Sequence, residues 1–279
     1  MPELPEVEAV VRTLRPFVQG QRIRCVHVLH PIAVKPQSAA HLADFAGGRR
    51  ILRVERRGKY ILLVLDRGVL TLHFRLDGQL IWFSDAKELF QRANQSDNGV
   101  HVDVAFELRN GVLGFADRRH FGRVHAWNSV EEHSGLASLG TDALSREFTS
   151  THLRELLASS SRPLKDFLLN QTRIAGLGNI YSCESLWLAR LDPRRRASTL
   201  KPQEARRLHK AIVSVLARAL ECCLHPAPDF RDAAWWFQGL EKILRAYGRE
   251  GEPCRHCGAP IQRMEQSGRS TYWCRRCQK

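Results

Sequence analysis

Two Cys-x2-Cys pairs near the end of the chain constrain its folding more than any other feature of the sequence. The first pair is Cys254 and Cys257, the second is Cys274 and Cys277, and 16 residues separate the pairs. Each pair suits a tight turn, and a hairpin between them brings four sulfur atoms together, as a tetrahedral zinc site requires. The spacing therefore predicts one structural Zn²⁺ held by a hairpin.

Two disulfides or redox thiols are the alternative for these cysteines, and disulfides need an oxidising compartment. The acidic start MPELPE does not resemble a secretory leader, and the longest apolar run, Ile61 to Leu65, is far below the roughly 20 residues of a membrane span. We therefore expect a protein of the cytoplasm and nucleoid, with zinc and without membrane contact. The remaining cysteines are expected in the core: Cys25, Cys183, Cys222 and Cys223.

The charge balance indicates a polyanionic partner. Lys and Arg number 43 against 29 Asp and Glu, giving a formal net charge of +14, while 43% hydrophobic residues suffice for a packed core. Nucleic acid is the first expectation and an anionic membrane surface the second. The segment 245–279 is strongly basic, whereas 129–142 contains no Lys or Arg.

Periodicity predicts an α+β protein with several domains. Apolar spacing favours a helix over 5–18, and short apolar runs with turn signals then favour a β-sandwich or barrel. Asn110-Gly111 is a strong hairpin signal between the predicted strands Val102–Leu108 and Val112–Ala116. Two further strands are predicted at Tyr60–Leu65 and Val69–Phe74. The predicted domains are 1–128 (helix plus β-sandwich), a 129–142 linker, 143–244 (helical) and 245–279 (zinc hairpin).

The N-terminus is a candidate catalytic group. With Pro second, Met1 should be removed, which leaves a secondary amine whose pKa is near 7.7–8.0, as for α-amino groups generally. A neutral amine can attack a sugar C1′ and form an iminium, and Glu3 and Glu6 lie close enough in sequence to move protons. Acidic residues also favour a first helical turn regardless of function, so the residues alone favour helix capping.

Seven segments together resemble the formamidopyrimidine-DNA glycosylase branch of the Fpg/Nei family over nearly the whole chain. They are MPELPEVE (1–8), RRGKYILL (56–63), HFRLDG (73–78), DRRHFG (117–122), GLGNIYSCESL (176–186), YGREGEPCRHCG (247–258) and GRSTYWCRRCQK (268–279). The resemblance implies a monomeric base-excision-repair glycosylase with AP-lyase activity on damaged double-stranded DNA, which would lie in the cleft between the domains. Its expected substrates are oxidised purines, formamidopyrimidines first and 8-oxoguanine second.

The resemblance also implies catalytic roles for five residues. Pro2 would displace the base and hold the sugar as a Schiff base, with Glu3 as general acid and base and Glu6 as a supporting carboxylate. Lys59 resembles a lysine that contacts phosphate and assists β-elimination, and Arg269 an arginine linked to δ-elimination and phosphate binding.

Seven candidate DNA contacts follow from the same resemblance. Leu76, Arg119 and Phe121 match the residues that fill the space left by a flipped nucleotide. His73 and Asn179 match phosphate contacts, the latter in a predicted helix–two-turn–helix whose glycines would let the backbone approach a phosphate. The family pattern has a basic residue at the position occupied here by Ser160 or Ser161. Arg162 and Lys165 are the predicted substitutes for it.

Several positions depart from the family pattern. Gly99 stands where a DNA-contacting histidine is expected, and His120 where a second arginine is common. The stretch 229–247 lacks a Gly-rich lid and contains Trp235 and Trp236, of which at least one is expected to pack in the core. The altered lid keeps open an endonuclease VIII-like preference for oxidised pyrimidines. Two further hypotheses are a non-enzymatic, zinc-dependent binder of abasic or distorted DNA and a zinc-ribbon RNA-binding protein.

Overall fold

The computed structural model describes residues 2–93, 100–232 and 239–279, which form two compact units. The first unit contains residue 2, residues 6–137 and a return segment that begins at Pro226. The second contains residues 3–5, residues 138–225 and the described C-terminal segment. An N-terminal helix with antiparallel sheets, a helical second unit and a cysteine-bearing hairpin confirm the predicted α+β fold class.

Helix α1 spans Leu4–Val18, one residue longer than predicted at its start. Its predicted apolar face is buried, with Val7, Val10 and Leu14 at most 1% exposed. Phe17, near its end, packs against Trp82 and Phe230 at ring distances of 5.5 and 6.0 Å. The apolar periodicity therefore places this helix against the core of the first unit, as expected for an amphipathic helix.

Two four-stranded antiparallel sheets form most of the first unit. One has the order β1 (Cys25–Val28), β6 (Val102–Leu108), β7 (Gly111–Ala116) and β5 (Gln79–Phe83). The other has the order β2 (Ile51–Arg57), β3 (Tyr60–Leu65), β4 (Val69–His73) and β8 (Arg123–Trp127). The predicted hairpin at Asn110-Gly111 joins β6 to β7, and β4 ends at His73 rather than Phe74.

Short helices complete the first unit: α2 (Ala39–Ala46), α3 (Ala86–Ala93), α4 (Ser134–Ala137) and the 3-10 turns Pro31–Val34 and Val130–Glu132. Phe74 stacks on Phe115 of β7 with ring centroids 6.0 Å apart, which joins the two sheets through their aromatic side chains. The prediction that Cys25 is a core residue is wrong, because Cys25 lies exposed on β1, a strand at the sheet edge.

The second unit is mainly helical. Its elements are β9 (Thr141–Asp142), α5 (Ser150–Ala158), α6 (Leu164–Leu169), β10 (Ile174–Ala175), α7 (Asn179–Leu188), the 3-10 turn Ala197–Thr199, α8 (Pro202–Cys223), α9 (Leu240–Ile243), β11 (Gln262–Gln266) and β12 (Arg269–Trp273). A buried cluster that includes Phe167, Tyr181 and Leu208 joins α6, α7 and α8. Among the described residues, no helix is both long and apolar enough to cross a membrane.

Candidate functional site

The carboxylate of Glu3 is fully buried and lies at the N-terminus of α7. Its Oε2 accepts hydrogen bonds from the backbone N–H of Gly178 at 2.8 Å and of Tyr181 at 3.4 Å. Its Oε1 accepts from the N–H of Ile180 at 2.9 Å. The first N–H groups of a helix lack intrahelical partners and favour negative charge. Glu3 therefore caps the N-terminus of α7.

Gly176 makes room for the N-terminal segment in the same unit. The N–H of Leu4 donates to the carbonyl oxygen of Gly176 at 3.2 Å, and a Cβ on this glycine would lie 2.8 Å from the Cβ of Leu4. The φ angle of Gly176 is +101°, a backbone conformation that residues with a side chain rarely adopt. In addition to any approach of a phosphate, Gly176 therefore accommodates Leu4, and Gly178 donates to Glu3.

Pro2 directly precedes the anchored carboxylate and is itself buried. Glu6 follows in the first turn of α1 and is 3% exposed. Because only one peptide unit joins Pro2 to Glu3, the anchoring of Glu3 also restricts where the nitrogen of Pro2 can lie. The three N-terminal residues predicted to be catalytic are thus all buried, and one of them is held through both of its carboxylate oxygens.

Lys59 and His73 lie at the same end of two neighbouring strands, β3 and β4. Lys59 is in the turn before β3, and Tyr60, the next residue, is the cross-strand partner of His73, with ring centroids 4.5 Å apart. Burial, together with the cations of Arg75 and Lys59, lowers the pKa of His73 to about 3. Its Nδ1 accepts from the N–H of Arg75 at 3.0 Å, so the proton of the neutral ring is on Nε2.

Two turns of the first unit bring the predicted void-filling residues together. Leu76 is half-buried in the turn after β4, and Asp77 beside it forms an ion pair with Arg119. The guanidinium of Arg119 lies 5.4 Å from the ring centroid of Phe121. The side chains of Arg119 and Phe121 are each 48% exposed. Sequence reasoning missed Asp77, although it stands inside the HFRLDG segment.

The backbone beneath these exposed side chains is firmly held. Asp117 accepts from the N–H of Arg119 at 2.9 Å and from the N–H of Gly122 at 2.6 Å. Arg123 donates to the carbonyl oxygens of three consecutive residues, His120, Phe121 and Gly122. The loop therefore presents two exposed side chains on a fixed backbone.

Arg269 begins β12 and is exposed in the second unit. It lines an open groove of about 560 Å³ together with the exposed Arg162 and with Asn170 and Thr172. The carboxylate of Asp166 also lines this groove, so the two arginines leave it a net positive charge of one, which suits an anionic ligand such as phosphate. Arg162 is therefore exposed, as a substitute for the basic residue that Ser160 or Ser161 replaces must be to contact DNA.

The prediction that Lys165 contacts DNA is wrong for this structure, because its side chain is fully buried. Its Nζ donates to the carbonyl oxygen of Ser270 at 2.9 Å and to Oγ1 of Thr271 at 2.6 Å. Asn179 donates from Nδ2 to the same Ser270 oxygen at 3.0 Å. Both side chains therefore hold the strand that starts at Arg269, and the sequence contains no signal for this burial.

Glu184 is a second buried carboxylate that sequence reasoning missed. It accepts from three consecutive backbone N–H groups, those of Arg245, Ala246 and Tyr247, each at 2.8 Å. Burial raises the pKa of Glu184 to about 7. Glu184 thereby fixes the chain just before the cysteine hairpin. Gly99, Trp235 and Trp236 lie outside the described residues.

The four predicted zinc ligands come together in the second unit. The sulfur atoms of Cys254, Cys257, Cys274 and Cys277 all lie within 4.8 Å of one another. Two of the separations are 4.0 Å and 3.5 Å. Zn–S bonds of about 2.3 Å place tetrahedral sulfurs about 3.8 Å apart, so the four cysteines fit one structural zinc ion. The indole Nε1 of Trp187 lies 3.4 Å from Sγ of Cys254, a suitable outer contact.

Three family models match successive parts of the chain. The formamidopyrimidine-DNA glycosylase N-terminal domain matches residues 1–124, the H2TH domain of the same glycosylase matches 139–224, and the zinc finger found in FPG and IleRS matches 251–279. The third match supports the zinc assignment made from the sulfur geometry.

Complete relatives and solved structures agree with these models. Formamidopyrimidine-DNA glycosylase of Pelotomaculum thermopropionicum is 39% identical, with 100% of this chain and 99% of that protein covered. MutM (Fpg) of Thermus thermophilus is 37% identical with a TM-score of 0.82, covering 99% of this chain and 98% of that one. Lactococcus lactis Fpg with abasic-site DNA is 29% identical with a TM-score of 0.85, and both chains are fully covered. The chain therefore belongs to the formamidopyrimidine-DNA glycosylase family and is a DNA glycosylase of base excision repair with AP-lyase activity.

Proposed function

We propose that this glycosylase removes oxidised purines, formamidopyrimidines first, from double-stranded DNA and then cleaves the abasic strand through a Schiff base on Pro2. The proposal rests on the buried carboxylate of Glu3, the residue that follows Pro2. This carboxylate accepts hydrogen bonds from three backbone N–H groups. A fixed proton acceptor next to a secondary amine suits covalent catalysis at a sugar carbon. A Lactococcus lactis relative has been solved with DNA containing N7-benzyl-Fapy-dG.

The chemical step begins after removal of Met1, which frees the amine of Pro2. Its nitrogen bonds to C1′ while the bond from C1′ to the base breaks, and the base leaves with the electron pair and takes up a proton. Loss of the amine proton and opening of the C1′–O4′ bond, with a proton delivered to O4′, then give the iminium. Glu3 accepts and returns these protons, supported by Glu6.

Strand cleavage follows by elimination. Loss of a proton from C2′ expels the 3′-phosphate, and a second elimination expels the 5′-phosphate. Lys59 is half-buried in the turn before β3, and Arg269 is exposed at the start of β12; cations at these positions can neutralise an expelled phosphate. Arg162 shares the groove with Arg269 and adds a second positive charge.

Recognition of the duplex uses two kinds of contact. His73, neutral and protonated on Nε2, donates one hydrogen bond to a phosphate oxygen, and Asn179 contributes at a helix N-terminus. Leu76, Arg119 and Phe121 fill the stack once the damaged nucleotide is flipped, which offsets the unstacking cost of a few kcal/mol. The exposed half of the Arg119 and Phe121 side chains supports this role.

Borohydride trapping on an abasic-site duplex tests the Schiff base. The wild-type protein should form one covalent adduct with DNA. The adduct should decrease in Pro2→Gly, which replaces the secondary amine with a primary one, and should disappear in a form with an N-terminal extension, which has no free amine at this position. Pro16→Ala is the matched control, because Pro16 is an exposed proline of α1, the helix that begins two residues after Pro2. An undiminished adduct in the N-terminally extended form would refute the proposal. Binding of abasic DNA without any adduct in the wild type would instead support a non-enzymatic binder.

A panel of duplexes tests the lesion class. Single-turnover excision rates are compared for formamidopyrimidine, 8-oxoguanine, thymine glycol and 5-hydroxycytosine in one sequence context. We expect formamidopyrimidine to be released fastest. Faster release of the two pyrimidine lesions would contradict the purine preference and support an endonuclease VIII-like specificity.

The proposal also covers where the enzyme acts and its oligomeric state. The relatives are bacterial proteins, and we place the activity on chromosomal DNA in the cytoplasm, with one chain per lesion. Sedimentation of the protein with a lesion duplex should give a complex of one chain and one duplex. A complex that contains two chains would contradict the monomer.

A further inference from the structure

Three potential metal ligands converge beside the loop that carries Arg119 and Phe121. His30 follows β1, Asp103 lies in β6 and His120 lies in the loop itself, and one ligand atom from each lies within 4.8 Å of the others. The rings of His30 and His120 are 4.7 Å apart. The three residues come from separate parts of the chain, and all of them belong to the first unit.

Asp103 has fewer hydrogen-bond partners than a buried carboxylate requires. The residue is completely buried, and its Oδ1 pairs with Nδ1 of His120 at 2.6 Å. Its Oδ2 is also buried and has no hydrogen-bond partner among the described residues. Leaving a buried charged oxygen unsatisfied is costly, so such an atom generally indicates a missing partner. Because both rings belong to the same cluster, that partner is expected to be a cation.

We propose that His30, Asp103 and His120 bind a divalent transition cation such as Zn²⁺, Co²⁺ or Ni²⁺. Two imidazoles and one carboxylate suit these borderline ions, whereas Mg²⁺ and Ca²⁺ prefer oxygen ligands alone. Bonds of about 2.0–2.1 Å place the ligand atoms about 3.3 Å apart, so the cluster must contract slightly on binding. His30 is exposed and can rotate toward the other two residues.

The site follows from a feature that distinguishes this chain from the family pattern. His120 occupies the position where the family resemblance leads one to expect a second arginine. A guanidinium there would neutralise Asp103 without any metal, whereas a histidine supplies a ligand and leaves Oδ2 unpaired. A bound cation would join His30, after β1, to the loop beneath Arg119 and Phe121. The inference does not depend on the lesion class proposed above.

A second cluster provides the necessary control. Cys25, His27 and Glu107 also lie within metal-binding reach of one another on β1 and β6. Cys25 is exposed, and no buried unpaired oxygen accompanies this group among the described residues. Cys25→Ser therefore reports whether an added cation binds to this second cluster instead.

Equilibrium dialysis of the full-length, zinc-loaded protein against Co²⁺ at pH 7.5, with elemental analysis of both metals, tests the proposal. The wild type should retain one zinc and bind one additional Co²⁺, whose absorption lacks a thiolate charge-transfer band. His30→Asn and His120→Arg should each weaken Co²⁺ binding by at least about tenfold, since loss of even an outer-shell partner typically costs that much. Cys25→Ser should bind Co²⁺ like the wild type.

Three results would overturn the site. They are the absence of Co²⁺ beyond the structural zinc, undiminished Co²⁺ binding in His30→Asn, and loss of Co²⁺ binding in Cys25→Ser. His30→Asn leaves the Asp103–His120 hydrogen bond untouched, so it tests the ligand even if His120→Arg does not fold. A thermal melt of each variant without Co²⁺ verifies that the fold is retained.

Discussion

The buried carboxylate of Glu3 and the exposed pair Arg119 and Phe121 differ in how the fold holds them. Glu3 has no exposed surface, and both of its oxygens accept from the N-terminus of α7. Arg119 and Phe121 are about half exposed; the backbone beneath them is held by buried hydrogen bonds, whereas the Arg119 side chain has a half-exposed ion pair with Asp77. One region fixes a charged group, whereas the other fixes a loop and leaves its side chains able to move.

This difference corresponds to the two tasks of a glycosylase. Proton transfer and nucleophilic attack need reacting groups held close to productive geometry. Filling the space of a flipped nucleotide needs side chains that rearrange only when DNA arrives, because their contacts in the free protein must be given up. Substitutions in the first region should therefore abolish chemistry, and substitutions in the second should change binding by small factors.

The largest effect is expected for Glu3→Gln. The amide keeps one acceptor oxygen but places an NH₂ group against backbone donors, and it cannot accept a proton as a carboxylate does. Single-turnover glycosylase rates should fall by about 10²–10⁴-fold, the usual contribution of general acid–base catalysis. Rates are measured on a formamidopyrimidine duplex, together with a thermal melt.

Glu8→Gln is the control for that substitution. Glu8 lies in α1, which begins directly after Glu3, and it pairs with Arg12 at 2.8 Å and Arg56 at 2.7 Å. Its loss should lower thermal stability slightly and leave the excision rate near that of the wild type. Equal rate losses in Glu3→Gln and Glu8→Gln would mean that the helix, and not the anchored carboxylate, is what the chemistry needs.

Gly176→Ala should have the next largest effect, this time on stability. The left-handed φ costs an L-residue roughly 1–2 kcal/mol, and the new Cβ also meets Leu4, so we expect a total above about 2 kcal/mol. Gly20→Ala is the matched control, since Gly20 also has a positive φ, +84°, but open space around it. Chemical denaturation measures both. A smaller loss in Gly176→Ala than in Gly20→Ala would show that Leu4 does not require this glycine.

Much of this organisation could be predicted from residue patterns. The apolar spacing of α1, the Asn110-Gly111 hairpin and the four cysteines each depend on local chemistry, and each prediction agrees with the structure. The burial of Lys165 could not be predicted, because its partners Ser270 and Thr271 lie over one hundred residues away. A lysine is almost always exposed, so only tertiary contacts reveal the exception.

The site residues show the same limit. The motifs identified Glu3 as a candidate catalytic group, but its three N–H donors come from residues 178–181, far along the chain. Asp77 and Glu184 were missed because an acidic residue in a turn or helix carries no local sign of its partner. Sequence patterns therefore do not show which side chains will pair across the fold.

Removal of the His73 side chain should weaken DNA binding moderately and without pH dependence. A neutral hydrogen bond contributes about 1 kcal/mol, so His73→Ala should lower affinity for an abasic duplex about fivefold. Because the pKa of His73 is about 3, the ring takes up no proton between pH 5.5 and 8. The ratio of mutant to wild-type Kd should stay constant over that range. A ratio that grows below pH 6.5 would indicate a charged contact instead.

The smallest effect, and the most direct test of the mobile region, is expected for Asp77→Asn. The ion pair between Asp77 and Arg119 is about half exposed on both sides, and such pairs contribute about 0–1 kcal/mol. In its proposed role Arg119 leaves this pair to enter the stack, so its release should tighten binding of an abasic duplex by at most about fivefold. The gain should vanish in the Arg119→Ala background, which a double-mutant cycle of Kd values measures.

Glu55→Gln controls for the loss of one negative charge from the same unit. Glu55 pairs with Arg53 at 2.6 Å with similar exposure, and neither residue belongs to the proposed DNA contacts. If both neutral variants tighten binding equally, the gain is a general charge effect and not the release of Arg119. If Asp77→Asn weakens binding, the ion pair positions Arg119 for insertion. The loop would then resemble the Glu3 anchor, because its side chain as well as its backbone would be fixed before DNA arrives.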